Sequence, residues 1–99
     1  MIVYLSGPIT GVPDYKERFA AAATLLLDQG HTVVNPANLV GSVIEGSIPN
    51  ERIMRMDLAL LSACDAICLL PGWEMSRGAR EERVRAKELR LVEMEARDV

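Results

Sequence analysis

Two carboxylic acids fall where a helix should be apolar. At three- and four-residue spacing, Ile53, Asp57, Leu60, Leu61 and Cys64 share one face of a helix expected over residues 50–63, with Asp57 among them. Ala79, Glu82, Ala86 and Leu89 share a face of another helix, expected from Gly78 to about Leu89, and Glu82 lies on it. Small neighbours leave room beside the Glu82 carboxylate, whereas Glu81 is directed to the Arg80 and Arg85 side. A carboxylate facing a core is costly unless it is paired, hydrogen-bonded or protonated. One reading pairs Asp57 with Arg52 or Arg55, and Glu82 with Arg77 or Arg85. The other turns both acids toward a common ligand, since each lies on a helix that follows a glycine-bearing loop.

Further groups are placed to assist. Ser6-Gly7-Pro8-Ile9-Thr10-Gly11 follows a β-prone segment and offers backbone N–H groups and hydroxyls that suit a phosphate or sugar. It is neither a G-x-G-x-x-G nor a Walker sequence, so dinucleotide or triphosphate binding is not indicated; an ordinary Gly/Pro turn is the alternative. Ser76 is an N-cap for the helix that begins near Gly78 and Ala79, and that helix start suits an anion. Trp73 offers a face for a base or for packing, and Tyr4 either lines a ligand cleft or fills the sheet.

The elements that must hold these groups alternate. Residues 2–5 (IVYL) read as a strand stopped by Ser6-Gly7-Pro8. Asp14 to Gln29 is helical, with Asp14 as N-cap, Glu17 completing a capping-box-like pair, a stripe of Phe19, Ala22, Ala23, Leu26 and Leu27, and Gly30 as the stop. Thr32–Val34 is a short strand cut by Asn35-Pro36, and residues 36–49 read as a loop or a broken helical turn. The helix over 50–63 takes Asn50 as N-cap. Asp65 to Leu70 is a continuous apolar run after its first residue, as a strand buried on both faces requires, and Pro71-Gly72 ends it. After the last helix, Leu91–Met94 is a final short strand or further helix. The expectation is one α/β domain over residues 1–99: three layers, α/β/α, with a small parallel sheet of flavodoxin-like or Rossmann-like type and three main helices. In such sheets ligands bind at the carboxyl ends of the strands, where the strand order switches.

Composition narrows the partners. The chain has 99 residues and a formal charge of −3, with no basic run, so a nucleic-acid polymer is not an expected partner. The Arg-rich stretch from Arg77 to Arg90 is interleaved with Glu and reads as a solvated helix face. Cys64 and Cys68 form no CxxC pair, and His31 belongs to no ligand cluster; buried thiols in a reducing, cytoplasmic setting are expected, with no metal and no cofactor. The first residues do not form a signal peptide, and no stretch has the length or apolarity to span a membrane.

Taken together, YLSGPITG, HTVVNP and MDLALLSACDAICLLPGWEMSRGAREE followed by Ala86 resemble the nucleoside 2-deoxyribosyltransferase-like superfamily, most closely its small, often phage-encoded members of domain-of-unknown-function 4406 type. The resemblance covers nearly the whole chain. It implies cleavage or transfer at an N-glycosidic bond, of deoxyribosyltransferase or deoxynucleoside 5′-monophosphate N-hydrolase type, with a nucleoside or nucleotide as the small-molecule partner. In that family a glutamate four residues after a helix-opening glycine attacks the anomeric carbon; here this is Glu82 after Gly78. The family aspartate of a D-L pair, which holds the sugar or assists the leaving base, matches Asp57. The aromatic that orients the nucleophile matches Tyr4, and the sugar- or phosphate-binding loop matches Ser6 to Gly11. Ser76 stands where many transferases carry a base-reading aspartate and where the monophosphate hydrolases carry a phosphate-contacting serine. Pro8 and Thr10 replace the serine and arginine of a hydrolase-type phosphate loop. The resemblance also implies a homodimer, for which the Met-containing face of residues 50–61 is the candidate interface. A nucleotide-binding module without catalysis, and an adaptor using the Arg/Glu helix, are the alternative functions.

Overall fold

The computed structural model describes residues 1–38 and 49–98. In chain order these form β1 (Ile2–Ser6), α1 (Tyr15–Asp28), β2 (Thr32–Val34), α2 (Asn50–Ser62), β3 (Ala66–Leu69), a 3₁₀ turn (Trp73–Met75), α3 (Arg77–Glu88), β4 (Val92–Glu95) and a second 3₁₀ turn (Ala96–Asp98). Residues 36–38 are helical; the rest of the expected loop, from 39 to 48, lies outside the described residues. The segment after α3 is a strand.

All four strands are parallel, in the order β2-β1-β3-β4. The chain steps from β1 outward to β2 and then crosses to β3, so the order switches between β1 and β3. Alternation along these two central strands builds a core on each face. Val3, Leu5, Ala66, Cys68 and Leu70 pack with Phe19, Ala22 and Leu26 of α1. Tyr4, Ile67 and Leu69 pack with Leu61 and Cys64 at the end of α2 and with Ala86 of α3. The result is the expected α/β/α sandwich, one helix on one face and two on the other.

Several local expectations need correction. Asp14 occupies the N-cap of α1 without a side-chain cap bond; its carboxylate instead accepts from Arg18 Nε at 3.0 Å, which holds it below the usual carboxylate range. Asn50 is the first residue of α2, whose cap is the extended Pro49. Leu27 and Leu60, read as core, are 56 % and 38 % exposed, because each stands at the edge of its stripe and turns past the sheet. Met54 of the proposed interface face packs inward, its Cε 3.4 Å from where a Cβ on Gly78 would stand. This close approach brings the start of α3 against α2.

Gly30 closes α1 as expected, in the left-handed conformation, φ 88°, with its N–H donating to Leu27 O. Two further ends are fixed in ways the local sequence hides. After α3 the same role falls to Arg90, at φ 60°. Asp65, read only as the start of a strand, accepts the N–H of Ile2 at 2.8 Å through Oδ2, and ties the start of β1 to that of β3.

Candidate functional site

Tyr4 and Ser6 are two residues apart on β1 and therefore project to the same face of the sheet, the face covered by α2 and α3. Both are buried, at 0 % and 1 % exposure. α3 begins just beyond β3, capped by Ser76, whose Oγ accepts the Ala79 N–H at 3.2 Å. Its buried stripe is Ala79, Glu82 and Ala86, so Glu82 is carried over the carboxyl end of β1. There Tyr4 Oη donates to Glu82 Oε2, and Ser6 Oγ donates to Glu82 Oε1 at 2.7 Å. Asp57 is buried on the facing side of α2, and its Oδ1 has no hydrogen-bond partner among the described residues.

The electrostatics follow from burial. Glu82 is pushed up to about 7, chiefly by desolvation, against the pull of its two hydroxyl donors, with Asp57 and Glu81 adding repulsion. Desolvation pushes Asp57 up to about 6. Tyr4 is raised far above its ordinary value, by burial first and then by the charges of Glu82 and Asp57, so its hydroxyl remains a donor across the working pH range. Asp57 contributes a minor repulsion at Glu82, and Glu82 holds its proton to a higher pH than Asp57 does. Between about 6 and 7 the prevailing form has Asp57 ionised and Glu82 protonated; its minor tautomer, with Glu82 ionised and Asp57 protonated, combines a group able to attack a carbon with one able to protonate a leaving group.

The arginine pairings offered as an alternative for these acids do not form. Arg77 binds Glu81 at 3.1 Å, on the stripe that also carries Arg85, and Arg85 binds Glu88 at 3.7 Å. Those pairs, with Arg83 on Glu93 at 2.9 Å, make the outer face of α3 a solvated ion-pair surface.

The remaining candidates divide. Gly78 and Ser76 lie at the start of the helix that bears Glu82. Gly7 passes so close to β3 that a Cβ would stand 2.7 Å from Leu70 Cβ. Thr10 and Gly11 are exposed, Gly11 at φ 77°, and Ile9 packs against the α1-side core. Pro8 borders an apolar groove of about 380 Å³ on that α1 side, with Phe19, Leu25 and Ala96. Trp73 lies under the Arg83 guanidinium, 4.8 Å from the ring centroid, and lines a cleft of about 200 Å³ with Gly72, Glu95 and Arg97. Neither lining includes Asp57 or Glu82. The structure thus brings together Tyr4, Ser6 and Glu82, with Asp57 near enough to act on them electrostatically, and directs Pro8 and Ile9 to the α1 side, while Trp73 packs against the cluster that contains Tyr4. What sequence reasoning missed is the task of the Ser6 hydroxyl; the i, i+2 spacing from Tyr4 was its signal.

Fold and site define a parallel α/β protein with two buried acids on the α2/α3 face of its central strands. The chain belongs to the family described as a domain of unknown function, DUF4406, which matches residues 1–94. No curated protein matches the chain. Among the described residues, no helix is long and apolar enough to cross a membrane.

Proposed function

We propose that the protein cleaves or transfers the N-glycosidic bond of a deoxynucleoside or its 5′-monophosphate, with Glu82 as nucleophile. The observation that carries this reading is the Glu82 carboxylate, buried, held on both oxygens by hydroxyl donors and within electrostatic reach of the buried Asp57, whose Oδ1 has no partner among the described residues. Among the described residues no arginine pairs with Glu82: its donors are the neutral hydroxyls of Tyr4 and Ser6, and Arg77 and Arg85 are committed to Glu81 and Glu88. Resemblance to the deoxyribosyltransferase-like superfamily supplies the substrate class, and Ser76 at the start of α3 favours the nucleotide over the free nucleoside.

In the proposed reaction ionised Glu82 adds to the anomeric carbon while the carbon–nitrogen bond breaks and its electron pair leaves with the base. Asp57 gives that nitrogen its proton. Water or a second base then attacks the anomeric carbon of the glycosyl ester, the bond to Glu82 breaks to release its carboxylate, and Asp57 takes the proton of the attacking O–H or N–H. The working form needs Glu82 ionised and Asp57 protonated. With Asp57 at about 6 and Glu82 at about 7 that form is the minor tautomer of the singly protonated pair, and its population, and so the activity, still peaks between those values and falls on both sides.

The test is chromatographic detection of free base after incubation with each of the common deoxynucleosides and deoxynucleoside monophosphates. Base release is expected from the wild type; Glu82→Gln should lower it by at least a factor of roughly 10³, and Asp57→Asn by roughly 10²–10⁴ with loss of the alkaline limb. Full activity in Glu82→Gln would refute the assignment. Nucleotide binding without base release by the wild type would make the protein a binding module.

A further inference from the structure

We infer that Ser6 is a positioning residue: its hydroxyl, set on β1 two residues after Tyr4, closes a two-donor fork on Glu82 and fixes which edge of the carboxylate faces a substrate. The inference deepens the reading of Glu82 as a nucleophile and moves Ser6 from the ligand-cradling loop to the support of that group.

Geometry carries it. Tyr4 and Ser6 take one oxygen each, so the carboxylate plane is defined by two anchors rather than one. A single donor leaves a carboxylate free to rotate about its terminal bond, a broad torsion; the second donor removes that freedom. Ser6 itself is rigidly placed. It is the last residue of β1, it registers with Leu69 of β3, and its carbonyl accepts the Leu70 N–H at 2.8 Å. Just beyond it the chain runs close against Leu70, where a Cβ on Gly7 would stand 2.7 Å from Leu70 Cβ. The Ser6 hydroxyl, 1 % exposed as part of its residue, is spent on Glu82 and is not offered to solvent. Anchored on both oxygens, Glu82 must attack through a remaining lone pair, and the fork selects which lone pairs are open.

The experiment follows the side-chain carboxyl of Glu82 by carbon-13 NMR of protein labelled at glutamate, with Glu82→Gln assigning the resonance. A hydroxyl that donates to the charged form lowers a carboxyl midpoint. Ser6→Ala, and the near-isosteric Ser6→Cys with its weak donor, should each move the Glu82 midpoint upward by about one pH unit. Ser6→Thr, which keeps the hydroxyl, should restore it. Where base release is observed, the alkaline limb of its pH profile, which follows the more basic group of the pair, should move up by the same amount in Ser6→Ala and return in Ser6→Thr. A wild-type midpoint in both Ser6→Ala and Ser6→Cys, or an equal shift in Ser6→Thr, would overturn the inference. The NMR titration requires no substrate, so it decides the role of Ser6 even if no nucleotide is cleaved and the glycosidic reading fails.

Discussion

At the scale of single residues, Glu82 is a group whose placement lowers stability and favours chemistry. The unfolded chain releases the Glu82 proton near 4.5, whereas the folded protein keeps it to about 7. Between those values the folded state binds more protons, so stability is fully present below 4.5 and falls as pH rises toward 7. Asp57 adds a similar decline from 3.8 to about 6. For Glu82 the difference amounts to roughly 3 kcal/mol above neutrality. Glu82→Gln removes it, so the melting-temperature advantage of that variant over the wild type should grow from about pH 4 to about pH 8. An advantage independent of pH would mean that Glu82 is solvated. Both acids stood out in the sequence because charge on an apolar stripe is a contradiction that spacing alone reveals. The task of Ser6 did not stand out, since a small hydroxyl residue beside Gly and Pro looks like any turn.

At the scale of elements, helices and strands were legible where hydrophobic period and punctuation agree. Thr32–Val34 is found as expected, and Gly30 and Ser76 close and open their helices as their types require. Agreement ends where tertiary contacts outrank local preference. Asp14 forgoes its cap for Arg18, and α3 stops without a glycine because the following strand is drawn into the sheet beside β3. That pull holds Arg90 in the left-handed region, which costs a non-glycine residue about 1 kcal/mol. Arg90→Gly should therefore stabilise the protein by about 0.5–1 kcal/mol in denaturant unfolding. Gly7→Ala should do the reverse, by about 1–3 kcal/mol, since the added methyl meets Leu70 Cβ inside contact distance. No loss in Gly7→Ala would show that the loop after β1 is free of β3.

At the scale of the whole molecule, strand order sets where the buried acids meet the sheet. With β1 and β3 at the centre of the sheet, the ends of both central strands open at the switch point. β1 supplies Tyr4 and Ser6 from its buried face, and α2 and α3 lay Asp57 and Glu82 on that same face. Alternation of strand and helix made the sandwich legible. The convergence of four side chains drawn from three elements depends on register and helix docking, which no local pattern encodes. The account rests on Glu82 acting as a nucleophile, and the most direct test is mass spectrometry of protein incubated with 2′-fluorinated deoxynucleosides and their monophosphates, whose glycosyl esters hydrolyse slowly. The account predicts one fluoropentosyl group, with or without its phosphate, mapped to the peptide bearing Glu82 and absent from Glu82→Gln. Release of base with the sugar ester on another residue, or unchanged release by Glu82→Gln, would contradict it.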